Sequence, residues 1–336
     1  MKRRRLAVLP TPLQELTVLS RELGGPRLFV KRDDLTGLGL GGNKLRKLEY
    51  AMAEAEEAGA TCVITSGAVQ SNHTRLTAAA CRLLGFPCHL VLAGDKPDQL
   101  TGNLLLDSLL GVVSVRFVPR SIEGKEAPGG PTPAHLAVEE LRSELEQKGE
   151  RPYVIPNGCR PLHGALGYAP CVREIAVQLH ELNLAPHWLV TATGTSSTQG
   201  GLILGSELYC GGEPRVIGIS VSRDSERLTR RISKGLDEAY AFLGRLEPEH
   251  DILIHDEYVG PGYGVPTSEM VEAVKLTARL EGLILDPVYT GKTMAGVIDL
   301  ARQGAFQSGD VVVFLHTGGI PGLFTTEQAA AFTDGR

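Results

Sequence analysis

Lys31-Arg-Asp-Asp-Leu-Thr-Gly-Leu-Gly-Leu-Gly-Gly-Asn-Lys-Leu-Arg-Lys47 is a charged, glycine-rich turn that runs into the start of a helix. Glycines at 37, 39, 41 and 42 let the backbone take positive φ and approach a ligand closely. Asn43 is placed as a helix N-cap, and Leu45, Leu48, Met52 and Ala55 continue as an apolar helical stripe up to Gly59. Lys44 and Lys47 therefore fall on one helix face, each in the field of the other. Two neighbouring amines call for a depressed pKa or an anionic partner, and Schiff-base chemistry uses both. Lys44, at the mouth of the turn, is the candidate for the covalent role.

The same glycines, at 37, 39 and 42, satisfy G-x-G-x-x-G, so a dinucleotide site competes with a lysine-centred one. That fingerprint needs an acidic residue at the end of the following strand, about 20 residues on, to hold a ribose. Thr65-Ser66-Gly67 stands there instead, and the acids at 54, 56 and 57 lie on the intervening helix. A solvated charged turn is the plainer alternative, and a lysine-centred cofactor site is favoured over both.

Outward from this turn, short apolar strand-like runs alternate with helical patterns. Thr61–Thr65 ends in Ser66-Gly-Ala-Val-Gln-Ser-Asn-His73, a helix follows over 74–84, and Cys88–Leu92 is the next strand. Further rounds follow, with helices near 99–110 and 134–147, strands at Val113–Val118 and Tyr153–Ile155, and a Pro/Gly surface loop at 123–133. A second series starts after Asn157-Gly-Cys-Arg-Pro-Leu-His-Gly164. It has helices at 165–181, after the 193–199 loop to about 210, and near 224–236, 266–281 and 292–303, and strands at His187–Ala192, Arg215–Val221, Ile252–His255 and Val311–His316. The expectation is an α/β protein with two open, mostly parallel sheets flanked by helices. A small domain is placed at 47–156 and a large one at 1–46 plus 157–336, with the active site in the cleft between them.

Three loops carry further chemistry. Thr193-Gly-Thr-Ser-Ser-Thr-Gln199, between a strand and a helix, makes a phosphate cup from helix N-terminal amides and hydroxyls, or simply an over-capped helix start. It lacks Gly-Lys-Ser/Thr, which excludes a nucleoside-triphosphate loop. Ser71-Asn72-His73 offers a hydroxyl, an amide and an imidazole at a strand-to-helix turn, suited to a carboxylate, although a Ser-Asn pair is as readily a cap. Gly260-Pro-Gly-Tyr-Gly264, Asp286-Pro-Val-Tyr-Thr-Gly-Lys292 and His316-Thr-Gly-Gly319 place Tyr263, Tyr289, Thr290 and Thr317 in turns at element ends. No His, Cys or acidic spacing suggests a metal.

Composition is that of an ordinary globular chain, 42% hydrophobic and 22% charged, and a net charge of −5 without a basic face argues against nucleic acid. Met1-Lys-Arg-Arg-Arg5 is followed by too short an apolar run for a signal peptide, and no stretch approaches a membrane span of about 20 residues. The six cysteines form no C-x-x-C, which fits a reduced cytoplasm.

As a set, Lys-Arg-Asp-Asp-Leu35, Gly-Gly-Asn-Lys-Leu-Arg-Lys-Leu-Glu49, Gln-Ser-Asn-His73, Gly-Pro-Gly-Tyr-Gly264, Asp-Pro-Val-Tyr289 and His-Thr-Gly-Gly319 resemble the pyridoxal-phosphate enzymes of the tryptophan-synthase β fold (fold type II). Within them the likeness is to the D-cysteine desulfhydrase and 1-aminocyclopropane-1-carboxylate deaminase family, over about Leu9–Leu323. The resemblance implies pyridoxal 5′-phosphate as cofactor, Lys44 as its Schiff-base lysine, and Lys47 and Asn72 as cofactor contacts. Thr193, Gly194, Thr195, Ser196, Ser197 and Thr198 would hold the phosphate, and Thr290 and Thr317 would lie on the ring side. Ser71, Asn72 and His73 would take the substrate carboxylate, with Ser71, Tyr263 and Tyr289 facing the reacting group. It also implies a homodimer. The family's Gly-Gly-Ser after the small domain is Asn157-Gly-Cys-Arg160 here, a departure on the substrate or hinge side.

Two positions separate the subfamilies. The deaminases have glutamate after the tyrosine of Asp-Pro-Val-Tyr and leucine before the terminal Gly-Gly, whereas this chain has Thr290 and Thr317. A carboxylate keeps the pyridine nitrogen protonated, which opening a cyclopropane needs, and a threonine hydroxyl does not supply that charge. The resemblance therefore leans to the desulfhydrases, with the deaminase and lyases acting on cysteate or chlorinated alanine as alternatives.

Overall fold

A computed structural model describes residues 1–120, 131–246, 248 and 251–333. The Pro/Gly loop expected over 123–133 lies outside the described residues except for its last three. The chain forms two compact units, one of Met1–Leu6 with Leu48–Arg160 and one of Ala7–Lys47 with Pro161–Arg336.

The elements begin with β1 (Leu13–Glu15), α1 (Thr17–Leu23), β2 (Arg27–Lys31) and α2 (Lys44–Glu57). There follow β3 (Cys62–Ala68), α3 (Asn72–Leu84), β4 (Cys88–Ala93), α4 (Gly102–Leu109), β5 (Ser114–Val118), α5 (Pro133–Gln147) and β6 (Pro152–Ile155). The remainder is α6 (Pro161–His180), β7 (Trp188–Thr193), α7 (Ser197–Cys210), β8 (Arg215–Ser220), α8 (Ser225–Leu243) and β9 (Leu253–His255), then α9 (Ser268–Glu281), α10 (Thr290–Arg302), β10 (Val311–Leu315) and α11 (Thr326–Thr333).

In the smaller unit the sheet runs β5-β4-β3-β6 and every pair is parallel, with Val63 opposite both Cys88 and Tyr153. Residues 62–65 and 88–92 are buried without alternation, as strands covered on both faces must be. Cys62, Ile64 and Val91 pack against Ala137, Val138, Leu141 and Leu145 of α5. The start of α5 is set by the Thr132 hydroxyl, which accepts from the His135 amide, with Pro133 in the first turn. The first six residues join this unit through Glu49, whose side chain accepts from the Leu6 amide at 2.8 Å and pairs with Arg3 at 2.5 Å.

In the larger unit the order is β1-β2-β10-β7-β8-β9, antiparallel only at β1–β2. The two faces of β10 go to two cores. Val312 and Phe314 join Met270, Met294 and Val297 of α9 and α10, while Val311, Val313 and Leu315 join Tyr168, Val172, Leu202 and Leu236 of α6, α7 and α8. Glycine sets the distance between α6 and α7: a Cβ on Gly201 would lie 2.5 Å from the Gly164 carbonyl, and one on Gly205 2.5 Å from that of Ala169. No helix among the described residues is long and apolar enough to cross a membrane.

The β-strand at 13–15 is only three residues long, and these are stabilised by antiparallel pairing with β2 rather than by a pattern of their own. Likewise β3 continues through Ser66-Gly-Ala68, which the polar composition suggests is already loop, because β4 pairs with it up to Ala68–Ala93.

Candidate active site

In the larger unit the loops at the carboxyl ends of β7 and β10 meet the turn that starts α2, the usual ligand position in an open parallel sheet. After β7 the chain turns through Ser196, held at φ 72° although it is not glycine, and α7 begins at Ser197. The Thr193 hydroxyl donates to Gln199 Oε1 at 2.8 Å, and Gln199 donates on to the Leu253 carbonyl at 2.8 Å, so Thr193 closes the loop from inside. The Ser196 hydroxyl turns back on the Thr195 carbonyl. The buried Lys47 ammonium donates to Ser197 Oγ at 2.8 Å and Thr198 Oγ1 at 2.7 Å, and it lies 5.6 Å from the centre of the Tyr168 ring. Asn43, besides preceding α2, gives its amide nitrogen to Thr198 Oγ1 at 3.2 Å. Positive charge, hydroxyls and the first-turn amides of α7 thus gather at one helix N-terminus, a place built for an anion. Lys44 stands at the first position of α2, one turn before Lys47, and is half-buried where Lys47 is fully buried.

Behind Lys47 is a buried ionic frame. Arg46 holds Asp33 through Nε (2.8 Å) and Nη2 (2.9 Å), and Glu174 through Nη1 (2.7 Å) and Nη2 (2.8 Å). Tyr168 donates its hydroxyl to Asp33 at 2.6 Å, and Lys31 pairs with Glu174 at 2.9 Å. Burial alone would raise the Asp33 carboxyl, but the charge of Arg46 and hydrogen bonds from Arg46, Tyr168 and Thr11 outweigh it and hold it below its ordinary value. Burial and the neighbouring Asp33 push the Tyr168 phenol well up. These contacts lock the ring on which Lys47 rests.

The turn before α10 is organised by Asp286. One carboxylate oxygen accepts from the Val288 and Tyr289 amides, each at 2.9 Å, and the other from the Thr290 amide at 2.9 Å and hydroxyl at 2.7 Å. Burial still raises the Asp286 pKa against these four bonds. The Thr290 proton is therefore spent on Asp286. Tyr289 and Tyr263 meet hydroxyl to hydroxyl at 2.6 Å with their rings edge to face, and Lys292 holds the Tyr263 turn through the Val259 and Gly262 carbonyls at 2.6 and 3.0 Å. Burial, then Tyr263, raises the Tyr289 phenol well above its ordinary value, so Tyr289 keeps its proton. The Thr317 carbonyl accepts from the Asn43 amide at 3.0 Å, and a Cβ on Gly318 would lie 2.8 Å from Gly42 Cα, so this loop sits directly on the lysine turn.

Arg223, a residue that no motif of the sequence marks, donates its guanidinium to the Gly194 carbonyl at 2.6 Å, and its charge acts on Tyr289. In the sequence its sole signal is its place just past the end of β8.

In the smaller unit, Ser71 caps α3 by accepting from the His73 and Thr74 amides at 3.1 and 3.3 Å. Gly67 lies beneath it, where a Cβ would come 2.5 Å from Ser71 Oγ. The Thr65 hydroxyl donates to the Ile155 carbonyl at 2.7 Å, so His73 Nε2, 3.0 Å away, donates to Thr65, and the ring is buried. Ser71, Asn72 and His73 are thus engaged differently, and Asn72 is the half-buried one.

This chain belongs to the pyridoxal-phosphate dependent enzymes: the family model matches residues 4–318. It is similar to a solved ACC deaminase homologue at 40% identity and TM-score 0.85, over 96% of this chain and 94% of that one. An O-ureido-L-serine synthase structure, at 17% identity and TM-score 0.66 over 97% and 94% of the two chains, shares the fold. The fold is type II among these enzymes, and the cofactor is pyridoxal phosphate. The residues present fit it. The α7 N-terminus with Lys47, Ser197 and Thr198 suits a phosphate, and Lys44, one helical turn away, carries the amine that an aldehyde requires.

Proposed function

We propose that the protein is a β-eliminating lyase that converts D-cysteine to hydrogen sulfide, pyruvate and ammonia. Bound pyridoxal phosphate supplies the electron sink that makes the Cα proton acidic. Lys44 takes that proton, and the substrate carboxylate is held at Ser71, Asn72 and His73. As the Cα–H pair moves in to form a Cα–Cβ double bond, the Cβ–S bond breaks and its electron pair leaves on sulfur. The Tyr263–Tyr289 pair, hydroxyls 2.6 Å apart, supports proton delivery to the departing sulfide, since Tyr289 is held protonated by burial and by its partner. The released enamine tautomerises to the imine, and addition of water to its C=N bond gives pyruvate and ammonia. Phosphate capture falls to Lys47 and the 193–198 loop.

Thr290 carries the choice of substrate. Its one hydroxyl proton goes to Asp286, whose carboxylate is occupied by four donors, so position 290 offers a neutral oxygen rather than a carboxylate. Expelling sulfide asks for less carbanion stabilisation than opening a cyclopropane, which makes that neutral environment sufficient. The 40% identity to the ACC deaminase homologue supports a second reading, deamination of 1-aminocyclopropane-1-carboxylate; a lyase acting on cysteate shares the same residues. The double variant Thr290→Glu, Thr317→Leu separates them: activity should move from D-cysteine towards the cyclopropane amino acid, and no change in either activity would contradict the assignment. The same reading has the enzyme act as a cytoplasmic homodimer; sedimentation of the holoenzyme tests the dimer.

A further inference from the structure

Asn72 is reached by a chain of hydrogen bonds that starts at a residue with no acceptor. Arg75, fully buried on α3, donates Nε to Asn103 Oδ1 at 2.6 Å. A guanidinium only donates, so this contact decides which end of the Asn103 amide faces it. Asn103 Nδ2 must then point the other way, and its two hydrogens go to the Gln70 carbonyl and to Asn72 Oδ1, each at 3.0 Å. The Asn103 backbone amide is also taken, by Gln70 Oε1 at 2.8 Å. Every polar atom of this buried side chain is committed, and it cannot turn over without losing three bonds at once.

The geometry points to Asn103 as a positioning residue that sets the polarity of Asn72: with Oδ1 consumed by Asn103, Asn72 presents its Nδ2 hydrogens and recognises an anionic oxygen. This rests on the reading of Asn72 as a ligand contact under the proposed function. The oxygen belongs either to the cofactor ring or to the substrate carboxylate, since both accept. Arg75 sets the direction at one end, Asn103 transmits it, and Asn72 delivers it. In the variant Asn103→Asp the carboxylate still accepts from Arg75 but has no hydrogen for Asn72, whose amide turns over and offers an acceptor to an anion.

The test is a double-mutant cycle in the holoenzyme with Asn72→Ala, Asn103→Asp and both together. Cofactor affinity and the pH dependence of the visible absorption are read without substrate, and KM and kcat with it. N103D should match N72A, with a loss of about tenfold, the size of one hydrogen bond to a charged group, and the double variant should be no worse than N72A. Loss in affinity or a moved spectral titration assigns the oxygen to the cofactor; an unchanged spectrum with raised KM assigns it to the substrate. Additive losses, or an N103D without effect where N72A has one, would overturn the role of Asn103. An inert N72A would overturn it by removing Asn72 as a contact, and it would leave the lyase assignment to its own substrate panel. Neutron diffraction from the unmutated holoenzyme needs no variant to fold. Deuterium on the Asn72 nitrogen turned away from Asn103 is expected, and deuterium turned towards it would refute the proposal.

Discussion

Each unit buries an arginine on a helix, and the neighbours the two are given differ in kind. Arg46 in the larger unit is saturated by carboxylates, two bonds to Asp33 and two to Glu174, and Asp33 is held below its ordinary pKa. Arg75 in the smaller unit donates to the neutral Asn103, and the nearby Asp107 receives, among the described residues, a long bond from Thr74 at 3.4 Å. Burial, against the attraction of Arg75, pushes Asp107 up to about 7, and Arg75 itself is lowered to about 10 by burial. A saturated network resists rearrangement, and it backs the ring under Lys47. The contacts of Arg75 with Asn103 and of Asn103 with Asn72 instead fix the direction of a hydrogen bond.

The difference is broken most severely at Arg46. Arg46→Met leaves Asp33 and Glu174 buried without their cation and should cost about 3–5 kcal/mol, read as a lowered urea midpoint; a loss below about 1 kcal/mol would mean the frame is not saturated as described. In the smaller unit the sign of the pH effect is the sharper probe. Asp107 has a folded pKa of about 7 against an ordinary 3.8 in the unfolded chain, so the unfolded chain releases this proton first as pH rises. Stability carried by the protonated form is intact below pH about 4 and is lost up to pH 7, by on the order of 3 kcal/mol. The unfolding free energy of the wild type minus that of Asp107→Asn should therefore fall from pH 4 to 7, and a flat difference would place Asp107 in solvent.

Smaller effects sharpen the cofactor end. Lys47→Met removes a charge-assisted donor from Ser197 and Thr198 and should weaken pyridoxal-phosphate binding by about 10- to 100-fold, measured by cofactor titration; unchanged affinity would remove Lys47 from the cup. Tyr168→Phe deletes one bond to an Asp33 that keeps Arg46, and about 1 kcal/mol of stability is expected to go with it. A loss as large as that for Arg46→Met would show that Tyr168, not the arginine, holds the frame.

Much of this was legible in the chain because it is local. The Gly37–Gly42 turn, Lys44 and Lys47 on one helix face, and the hydroxyl loop before α7 announce themselves by residue type and by their place after a strand. What escaped is non-local. Asp33 and Arg46 stand in the opening turn and helix, but Tyr168 and Glu174 lie far along the chain, and no pattern marks the four as one network. Asn103 reads as an ordinary early helix residue, and only its side-chain contacts with Gln70, Asn72 and Arg75 give it meaning. The strand β1 has no signal of its own, since its pairing with β2 creates it. His73, grouped with Ser71 and Asn72 by adjacency, has a ring held by Thr65, because successive residues on a helix start point in different directions.

The most direct test is pyruvate release by the purified holoenzyme from D-cysteine, L-cysteine, cysteate and 1-aminocyclopropane-1-carboxylate, which gives 2-oxobutyrate rather than pyruvate, under one set of conditions with both oxo acids measured. D-Cysteine should give pyruvate with sulfide and ammonia in equal amounts, at a rate well above the other three. Preferred turnover of the cyclopropane amino acid, with D-cysteine inert, would contradict the assignment drawn from Thr290.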